Sequence, residues 1–193
     1  MKEDQLILID DRDAQIGVMG KLETHQKGLL HRAFSIFVGN DKGELMLQQR
    51  AAAKYHCGNL WTNTCCGHPR DGEALLQAAH RRLREEMGFD CALRETFAFQ
   101  YKVAFENGLW ENEITHVFFG RYTSAPILNP DEADAWKWIK TADVRADILN
   151  NSAAYTYWFQ EALKEMEKRG LDFPKTPNEN AKTSCLPNRR GGG

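Results

Sequence analysis

Alternating apolar and polar positions predict several β-strands. Leu45 and Leu47 alternate with polar neighbours, as on a strand with one buried face. The run just before them is mostly apolar, and a Gly-Asn-Asp-Lys-Gly turn separates the two. Asn107 and Gly108 mark a turn between two later alternating runs. The predicted strands span residues 33–38, 44–50, 97–105, 110–122 and 135–139, with the first two forming one hairpin and the next two another.

Apolar residues spaced three or four apart predict two helices. Leu76, Leu83 and Met87 share one face of the first helix, and Gly88 and Gly170 each mark a helix end. The helices are predicted over residues 73–87 and 153–169. Strands, a central helix, more strands and a last helix indicate an α/β (α+β) fold without regular βαβ alternation.

Composition limits the classes of protein that remain. The chain has 193 residues, with 25 Lys and Arg against 27 Asp and Glu. That balance gives no basic field for nucleic acid, and no apolar run approaches the roughly 18 to 20 residues of a membrane span. We expect one domain over residues 1–173, followed by a disordered tail over 174–193, which holds almost nothing to bury.

Cysteine usage favours a cytoplasmic protein. The five cysteines are an odd number, and none forms a Cys-x-x-Cys pair. A secreted disulfide scaffold is therefore disfavoured. The short apolar run at residues 6–9 is not long enough for the core of a signal peptide.

The central helix lies in the strongest motif of the chain. Residues 67–73 read Gly-His-Pro-Arg-Asp-Gly-Glu, and residues 81–89 read Arg-Arg-Leu-Arg-Glu-Glu-Met-Gly-Phe. This spacing resembles the Nudix box, in which carboxylates grouped on a helix hold divalent cations that neutralise a diphosphate. Without the surrounding motif, the same charges would be an ordinary solvated helix end with an ion pair between Arg82 and Glu86.

Arg82 departs from the box, which has a glutamate at that position. Arginine replaces a metal ligand with a phosphate clamp. We therefore expect the site to bind a diphosphate without cleaving it readily. This departure argues against the obvious alternative, a Nudix pyrophosphohydrolase of a nucleoside diphosphate derivative.

Two adjacent cysteines precede the box in the string Trp-Thr-Asn-Thr-Cys-Cys-Gly-His-Pro, residues 61–69. Neighbouring side chains of an extended segment face opposite ways, so at most one of Cys65 and Cys66 points into a given pocket. A lone cysteine is more often a small core residue than a reactive thiol.

A candidate metal site combines carboxylates and imidazoles. Period-two geometry puts Glu111 and Glu113 on one face of a predicted strand, where like charges are unfavourable unless a cation lies between them or the face is exposed to water. His25 and His31 lie in a segment predicted as a loop, and His68 lies in the box. Together these five would form a mixed nitrogen and oxygen site for a divalent transition metal or magnesium.

The combination of these motifs resembles the type I isopentenyl diphosphate isomerases, a family with the Nudix fold, a mixed β-sheet core flanked by helices. The most specific segments are residues 61–69, Arg81-Arg82 and Glu111-Asn112-Glu113. The resemblance implies that Cys66 and Glu113 are catalytic, with Tyr101 beside the glutamate. It further implies metal ligands at His25, His31, His68, Glu111, Glu113 and Glu86, and substrate contacts at Lys21, Arg50, Lys54, Arg82, Trp61 and Trp158.

The same resemblance implies the cofactors and the reaction. Glu86 would carry a Mg²⁺ that bridges to the diphosphate, and the His/Glu site would hold Mn²⁺, Mg²⁺ or Zn²⁺. Glu113 would protonate an unactivated alkene, and Cys66 as thiolate would remove a proton from the carbocation, shielded by Trp158 or Trp61. The expected partner is a small diphosphate substrate, with neither nucleic acid nor membrane, and the chain is expected to be a monomer or weak homodimer.

A second alternative is a catalytically inactive Nudix or zinc-binding module with a role in interactions. The presence of both Cys66 and Glu113 argues against it.

Overall fold

A mixed nine-stranded sheet forms the centre of the protein in a computed structural model that describes residues 5–54 and 56–171. The tail predicted over 174–193 lies outside these residues. The strands are β1 Gln5–Ile9, β2 Gln15–Gly20, β3 His31–Gly39, β4 Glu44–Arg50, β5 Trp61–Thr62, β6 Cys65–Gly67, β7 Leu93–Ala104, β8 Trp110–Arg121 and β9 Ala133–Lys140. The helices are α1 Lys21–Lys27, α2 Leu75–Met87, α3 Thr141–Asn151 and α4 Tyr157–Lys168, with a 3₁₀ turn at Ser152–Ala154.

Strand β3 organises the sheet. It pairs in parallel with β8 along its whole length, from His31 opposite Glu113 to Gly39 opposite Arg121. Along its other edge it pairs with β1, then β6, then β4. A strand with neighbours on both edges and helices over both faces is apolar along most of its length. The sheet contains parallel and antiparallel pairs, so the mixed fold predicted from the sequence is confirmed.

The two predicted hairpins have different outcomes. Strands β7 and β8 form the antiparallel pair expected for residues 97–122, and β7 begins earlier than predicted, at Leu93. Strands β3 and β4 follow each other as expected, but they pair at Gly39 and Leu45, next to the turn. They diverge because β3 pairs instead with β6 and β8, while β4 pairs with β9.

Helix α2 confirms the central prediction and ends at Gly88, which adopts a left-handed conformation with φ of 70°. The last predicted helix is too long, since α4 begins at Tyr157 and a 3₁₀ turn precedes it. The sequence reasoning missed α1 and α3. Helix α1 has only seven, mostly polar residues, and α3 has no strong apolar stripe.

Two apolar layers cover the two faces of the sheet. Phe37 and Val117 pack with Phe159 of α4 on one face, whereas Ile36 packs with Leu83 of α2 on the other. Cys65 is fully buried in the α2 layer, and Cys66 packs against the α4 layer, as the alternation of side chains along a strand requires. Within the described residues, no helix is both long and apolar enough to span a bilayer.

Candidate active site

A cavity of about 250 Å³ lies where β6, β8 and α2 come together. Positive side chains line one part of it, and carboxylates with imidazoles line another. Most of the site residues predicted from the sequence line this cavity, namely Lys21, Arg50, Lys54, Cys66, His68, Arg82, Glu86, Tyr101, Glu111, Glu113 and Trp158.

The Cys66 thiol is fixed by two neighbouring strands. Cys66 pairs with Ser35 of β3, and its Sγ lies 3.5 Å from the Ser35 hydroxyl. Its Sγ also lies 3.1 Å from Oδ1 of Asn63. The Asn63 amide group donates to the backbone carbonyls of Ile36 and Cys65, so its Oδ1 is left to accept. An acceptor facing the sulfur requires Cys66 to be a thiol that donates its proton.

Burial also favours the protonated form of the Cys66 thiol. It raises the pKa of Cys66 to about 11, although the hydrogen bond with Ser35 opposes the shift. The Cys65 side chain points to the opposite layer, where burial raises its pKa too. Of the two adjacent cysteines, the structure therefore brings Cys66 to the cavity and keeps Cys65 in the core.

Glu113 accepts hydrogen bonds from several directions. The Tyr101 hydroxyl lies 2.8 Å and the Thr115 hydroxyl 2.9 Å from Oε2. Nε2 of His68 lies 3.0 Å from Oε1, and Nε2 of His31 lies 3.4 Å from it. Although burial opposes ionisation, the interactions with His31 and His68 hold the pKa of Glu113 well below its usual range. Burial and the negative charge of Glu113 raise the pKa of Tyr101.

Three imidazoles and two carboxylates converge at this end of the cavity. Nδ1 of His25 lies 2.6 Å from the Lys21 carbonyl, and Nδ1 of His31 lies 2.9 Å from the Leu29 carbonyl. Since a carbonyl only accepts, both Nδ1 atoms carry the proton, and both Nε2 atoms are left for the cluster. Nε2 of His25 lies 3.3 Å from Oε2 of Glu111.

The residues of this cluster fit a divalent metal. One ligand atom from each of His25, His31 and His68 lies within 4.8 Å of the others, and the same holds for His31, Glu111 and Glu113. Nε2 of His31 and Oε2 of Glu111 are buried and make no hydrogen bond to the described part of the chain. Burial lowers the pKa of His68 to about 4, which keeps its imidazole neutral, the form that binds metals. His25 and His31 are buried and are not among the described residues that line the cavity.

The other part of the cavity is strongly cationic. Burial and the neighbouring Lys54 lower the pKa of Lys21, whereas the nearby Glu111 opposes the shift. Glu132 pairs with Lys54 and lies 3.0 Å from Nη2 of Arg82. This cluster has the charge and geometry to receive a diphosphate.

Arginines pair with the carboxylates of the box. Nε of Arg81 lies 2.7 Å from Glu73, and Nη1 of Arg82 lies 2.7 Å from Glu85. Nη2 of Arg82 lies 2.6 Å from Oε1 of Glu86. Because these contacts neutralise the grouped carboxylates, they leave less negative charge for the several cations that a hydrolase of this fold would gather.

The two predicted aromatic contacts have different positions. Trp158 lines the cavity, its indole N–H donates to the Thr62 hydroxyl at 2.9 Å, and the Arg50 guanidinium lies 5.2 Å from its ring centre. Trp61 is not among the described lining residues, and its ring lies 4.0 Å from the Lys137 ammonium instead. The substrate contact of Trp61 stays a prediction. Alternation along β5 turns Thr62 toward Trp158 and Trp61 away from it.

Sequence reasoning missed several residues of the site. Nε2 of His56 lies 2.9 Å from Oε1 of Glu111, and burial lowers the pKa of His56. Gln48 donates to Oε2 of Glu86 at 2.7 Å. His56 belongs to no sequence motif. Gln48 reaches Glu86 because β4 lies beneath α2, which the neighbouring residues in the sequence do not indicate. The segment at Glu132 carries no motif either.

Comparison with known families gives one domain match. The family model described as the NUDIX domain matches residues 29–159, more than half of the chain. The chain is 52% identical over 161 residues to "Isopentenyl-diphosphate Delta-isomerase 2" of Aromatoleum aromaticum, covering 83% of this chain and 85% of that protein. It is 49% identical over 169 residues to "Isopentenyl-diphosphate Delta-isomerase" of Burkholderia multivorans, covering 88% and 94%.

Solved structures give the same fold at lower sequence identity. A crystal structure of a Deinococcus radiodurans protein matches with a TM-score of 0.70 and 21% identity, covering 84% of this chain and 98% of that one. The MutT protein of Methanosarcina mazei matches with a TM-score of 0.60 and 16% identity, covering 73% and 95%.

Proposed function

The chain belongs to the type I isopentenyl-diphosphate isomerases of the Nudix superfamily, and we propose that its cavity interconverts isopentenyl diphosphate and dimethylallyl diphosphate by moving protons through Cys66 and Glu113. The main support for this proposal is that both side chains line one cavity of about 250 Å³. Cys66 reaches it from β6 and Glu113 from β8, which pair with opposite edges of β3. Shifting the double bond requires a proton to be added at one carbon and removed from another. An acid and a base on opposite sides of the substrate accomplish this without a redox cofactor.

The hydrogen bonds around the pair support a resting form with the proton on sulfur. Cys66 donates to Asn63, whereas Glu113 accepts from Tyr101 and Thr115. From this form Cys66 is the acid and Glu113 is the base, the reverse of the order expected from the sequence. After one turnover the carboxyl holds the proton, and the pair can catalyse the opposite direction. Release of the carboxyl proton to solvent and uptake of a solvent proton by the Cys66 thiolate restore the resting form.

Two cation sites accompany this pair in the proposal. Glu86 would hold Mg²⁺ when the diphosphate is bound, because Mg²⁺ commonly uses one or two carboxylates together with substrate phosphates. Mn²⁺, Mg²⁺ or Zn²⁺ would bind to His25, His31, His68, Glu111 and Glu113, whose ligand atoms converge. The bound cations would supply positive charge that neutralises the diphosphate and fixes the carboxylates.

The cationic part of the cavity retains the substrate during the reaction. A diphosphate is a good leaving group from an allylic cation, so Arg50, Lys54 and Arg82 must hold it firmly. Trp158 presents an aromatic ring to the developing carbocation and helps to exclude water. Its indole N–H donates to Thr62, which fixes the orientation of the ring.

Incubation with isopentenyl diphosphate and Mg²⁺ tests this proposal against hydrolysis. Nuclear magnetic resonance should detect dimethylallyl diphosphate, while a colorimetric assay should find no released phosphate. Rapid phosphate release from nucleoside diphosphate derivatives, without isomerisation, would support a hydrolase and overturn the proposal. The pairing of Arg82 with both Glu85 and Glu86 favours the first outcome.

A further inference from the structure

His56 lies between Glu111 of the His/Glu cluster and the aromatic rings of Trp158 and Phe105. Its side chain is 9% exposed, and its Nε2 lies 2.9 Å from Oε1 of Glu111. Its ring centre lies 5.8 Å from that of Trp158 and 5.9 Å from that of Phe105. An imidazole held between a carboxylate and two aromatic rings has little freedom to turn.

The two oxygens of Glu111 have different neighbours. Oε1 faces His56, while Oε2 lies 3.3 Å from Nε2 of His25 and 4.0 Å from Nε2 of His31. Oε2 is also the oxygen that makes no hydrogen bond to the described residues. The contact with His56 thus fixes the Glu111 carboxylate so that Oε2 faces His25 and His31.

The segment that carries His56 is itself held in place. The Arg50 guanidinium donates to the carbonyl of His56 at 3.3 Å and to that of Cys57 at 3.2 Å. Cys57 has a φ of 52°, and a Cβ at Gly58 would lie 2.7 Å from the Ala52 carbonyl oxygen. Such a closed loop persists only where its surroundings determine it. Arg50, a predicted diphosphate contact, therefore also fixes the loop that places His56.

We propose that His56 is a positioning residue. It holds Oε1 of Glu111 and so orients Oε2 toward His25 and His31, where the metal would bind. The inference rests on the proposed function, since it assigns His56 to the metal site of that cavity. Partners that orient metal ligands commonly contribute about 10–100-fold to metal affinity. Because His56 contacts the ligand residue Glu111 and is not in either described group of ligand residues, its role is to orient a ligand.

Metal titration of the substrate-free protein tests this role. Mn²⁺ is titrated into chelator-treated wild type, His56→Phe and His56→Gln, and free Mn²⁺ is followed by electron paramagnetic resonance. We expect His56→Phe to lose about 10–100-fold in affinity and His56→Gln, which keeps an N–H donor, to stay within about threefold of wild type. His116→Phe is the matched control, because His116 contacts Asp13 and Glu95 outside the cluster.

Circular dichroism verifies that each variant is folded, and His56→Ala replaces His56→Phe if the larger ring prevents folding. Unchanged Mn²⁺ affinity in the donor-free variant would overturn the inference. An equal loss in His56→Gln and His56→Phe would also overturn it, since the hydrogen bond would then be irrelevant.

Isomerase assays on the same wild-type samples separate the two proposals. Active wild-type protein with normal Mn²⁺ binding in His56→Phe contradicts only the inference. Loss of affinity in His56→Phe, together with a wild type that binds metal and does not isomerise, supports the inference and contradicts the proposed function.

Discussion

His31 on β3 lies directly opposite Glu113 on β8 in the parallel pair at the centre of the sheet. Their side chains meet, with Nε2 of His31 3.4 Å from Oε1 of Glu113. Four residues further along β3, Ser35 pairs with Cys66. Strand β3 therefore aligns the His/Glu cluster at one edge with the Cys66 thiol at the other edge. Its register with β6 and β8 determines the geometry of the cavity.

The two adjacent cysteines should respond differently to removal of their sulfur. We expect Cys66→Ala to lose about 10²–10⁴-fold in kcat, the usual contribution of an acid or base. Cys65→Ala should keep near-normal turnover and lose about 1 kcal/mol in free energy of unfolding, because its sulfur packs in the α2 layer. Steady-state kinetics and urea denaturation of both variants measure this contrast. Near-normal turnover in Cys66→Ala would remove the thiol from the mechanism.

Glu113→Gln should lose both activity and metal. The amide has one acceptor oxygen in place of two, and it carries no negative charge to attract a cation between His31 and His68. We expect turnover to fall by about 10²-fold or more and the metal content measured by mass spectrometry to drop. Glu95→Gln is the control, since Glu95 contacts His116 outside the cavity. A Glu113→Gln protein that keeps both properties contradicts this role.

Arg82→Gln should weaken substrate binding more than it slows the chemical step. Loss of one charge-assisted contact with a phosphate is worth about 1.5–3 kcal/mol, which corresponds to a rise in KM of about 10–100-fold. Arg84→Gln, on the same helix, removes a partly exposed side chain that pairs with Asp90, and it should leave KM unchanged. Initial rates over a range of isopentenyl diphosphate concentrations distinguish the two. An unchanged KM in Arg82→Gln would contradict the clamp.

The metal-free protein should lose stability on acidification. The pKa of His68 falls from 6.5 to about 4 on folding, so between these values the unfolded chain binds more protons. Above pH 6.5 His68 is neutral in both the folded and the unfolded chain. As pH falls to about 4, the free energy of unfolding drops by about 3 kcal/mol, because the unfolded chain takes up the proton first. Burial gives this shift its direction, and the nearby Glu113 opposes it.

Urea unfolding in the presence of chelator, from pH 7 down to about pH 4.5, measures this dependence. His68→Gln should show a shallower fall in unfolding free energy than wild type, because glutamine gains no proton over this range. Equal slopes for wild type and His68→Gln would contradict the prediction.

Local periodicity explains why much of the site was predictable. Alternation along a strand was sufficient to place Glu111 and Glu113 on one face and to send Cys65 and Cys66 to opposite faces. The box spacing likewise predicted the helix that carries Arg82 and Glu86. These features depend only on neighbours in the sequence.

Features that depend on pairing between distant segments were not predictable from these residues alone. The contact of His56 with Glu111 requires both the loop fixed by Arg50 and the position of β8. Glu132 reaches Lys54 and Arg82 from a segment with no motif. The contact of the Trp61 ring with Lys137 likewise depends on which face of the short β5 turns toward α4.

The most direct test of the paired proton transfer is the turnover of wild type, Cys66→Ala, Glu113→Gln and the double variant on isopentenyl diphosphate. Proton resonance in deuterated water follows the new methyl group of dimethylallyl diphosphate. If the two groups work as one unit, each single variant loses at least about 10²-fold, and the double variant is scarcely slower than either. A single variant that retains wild-type turnover, or losses that simply multiply in the double variant, would contradict the account.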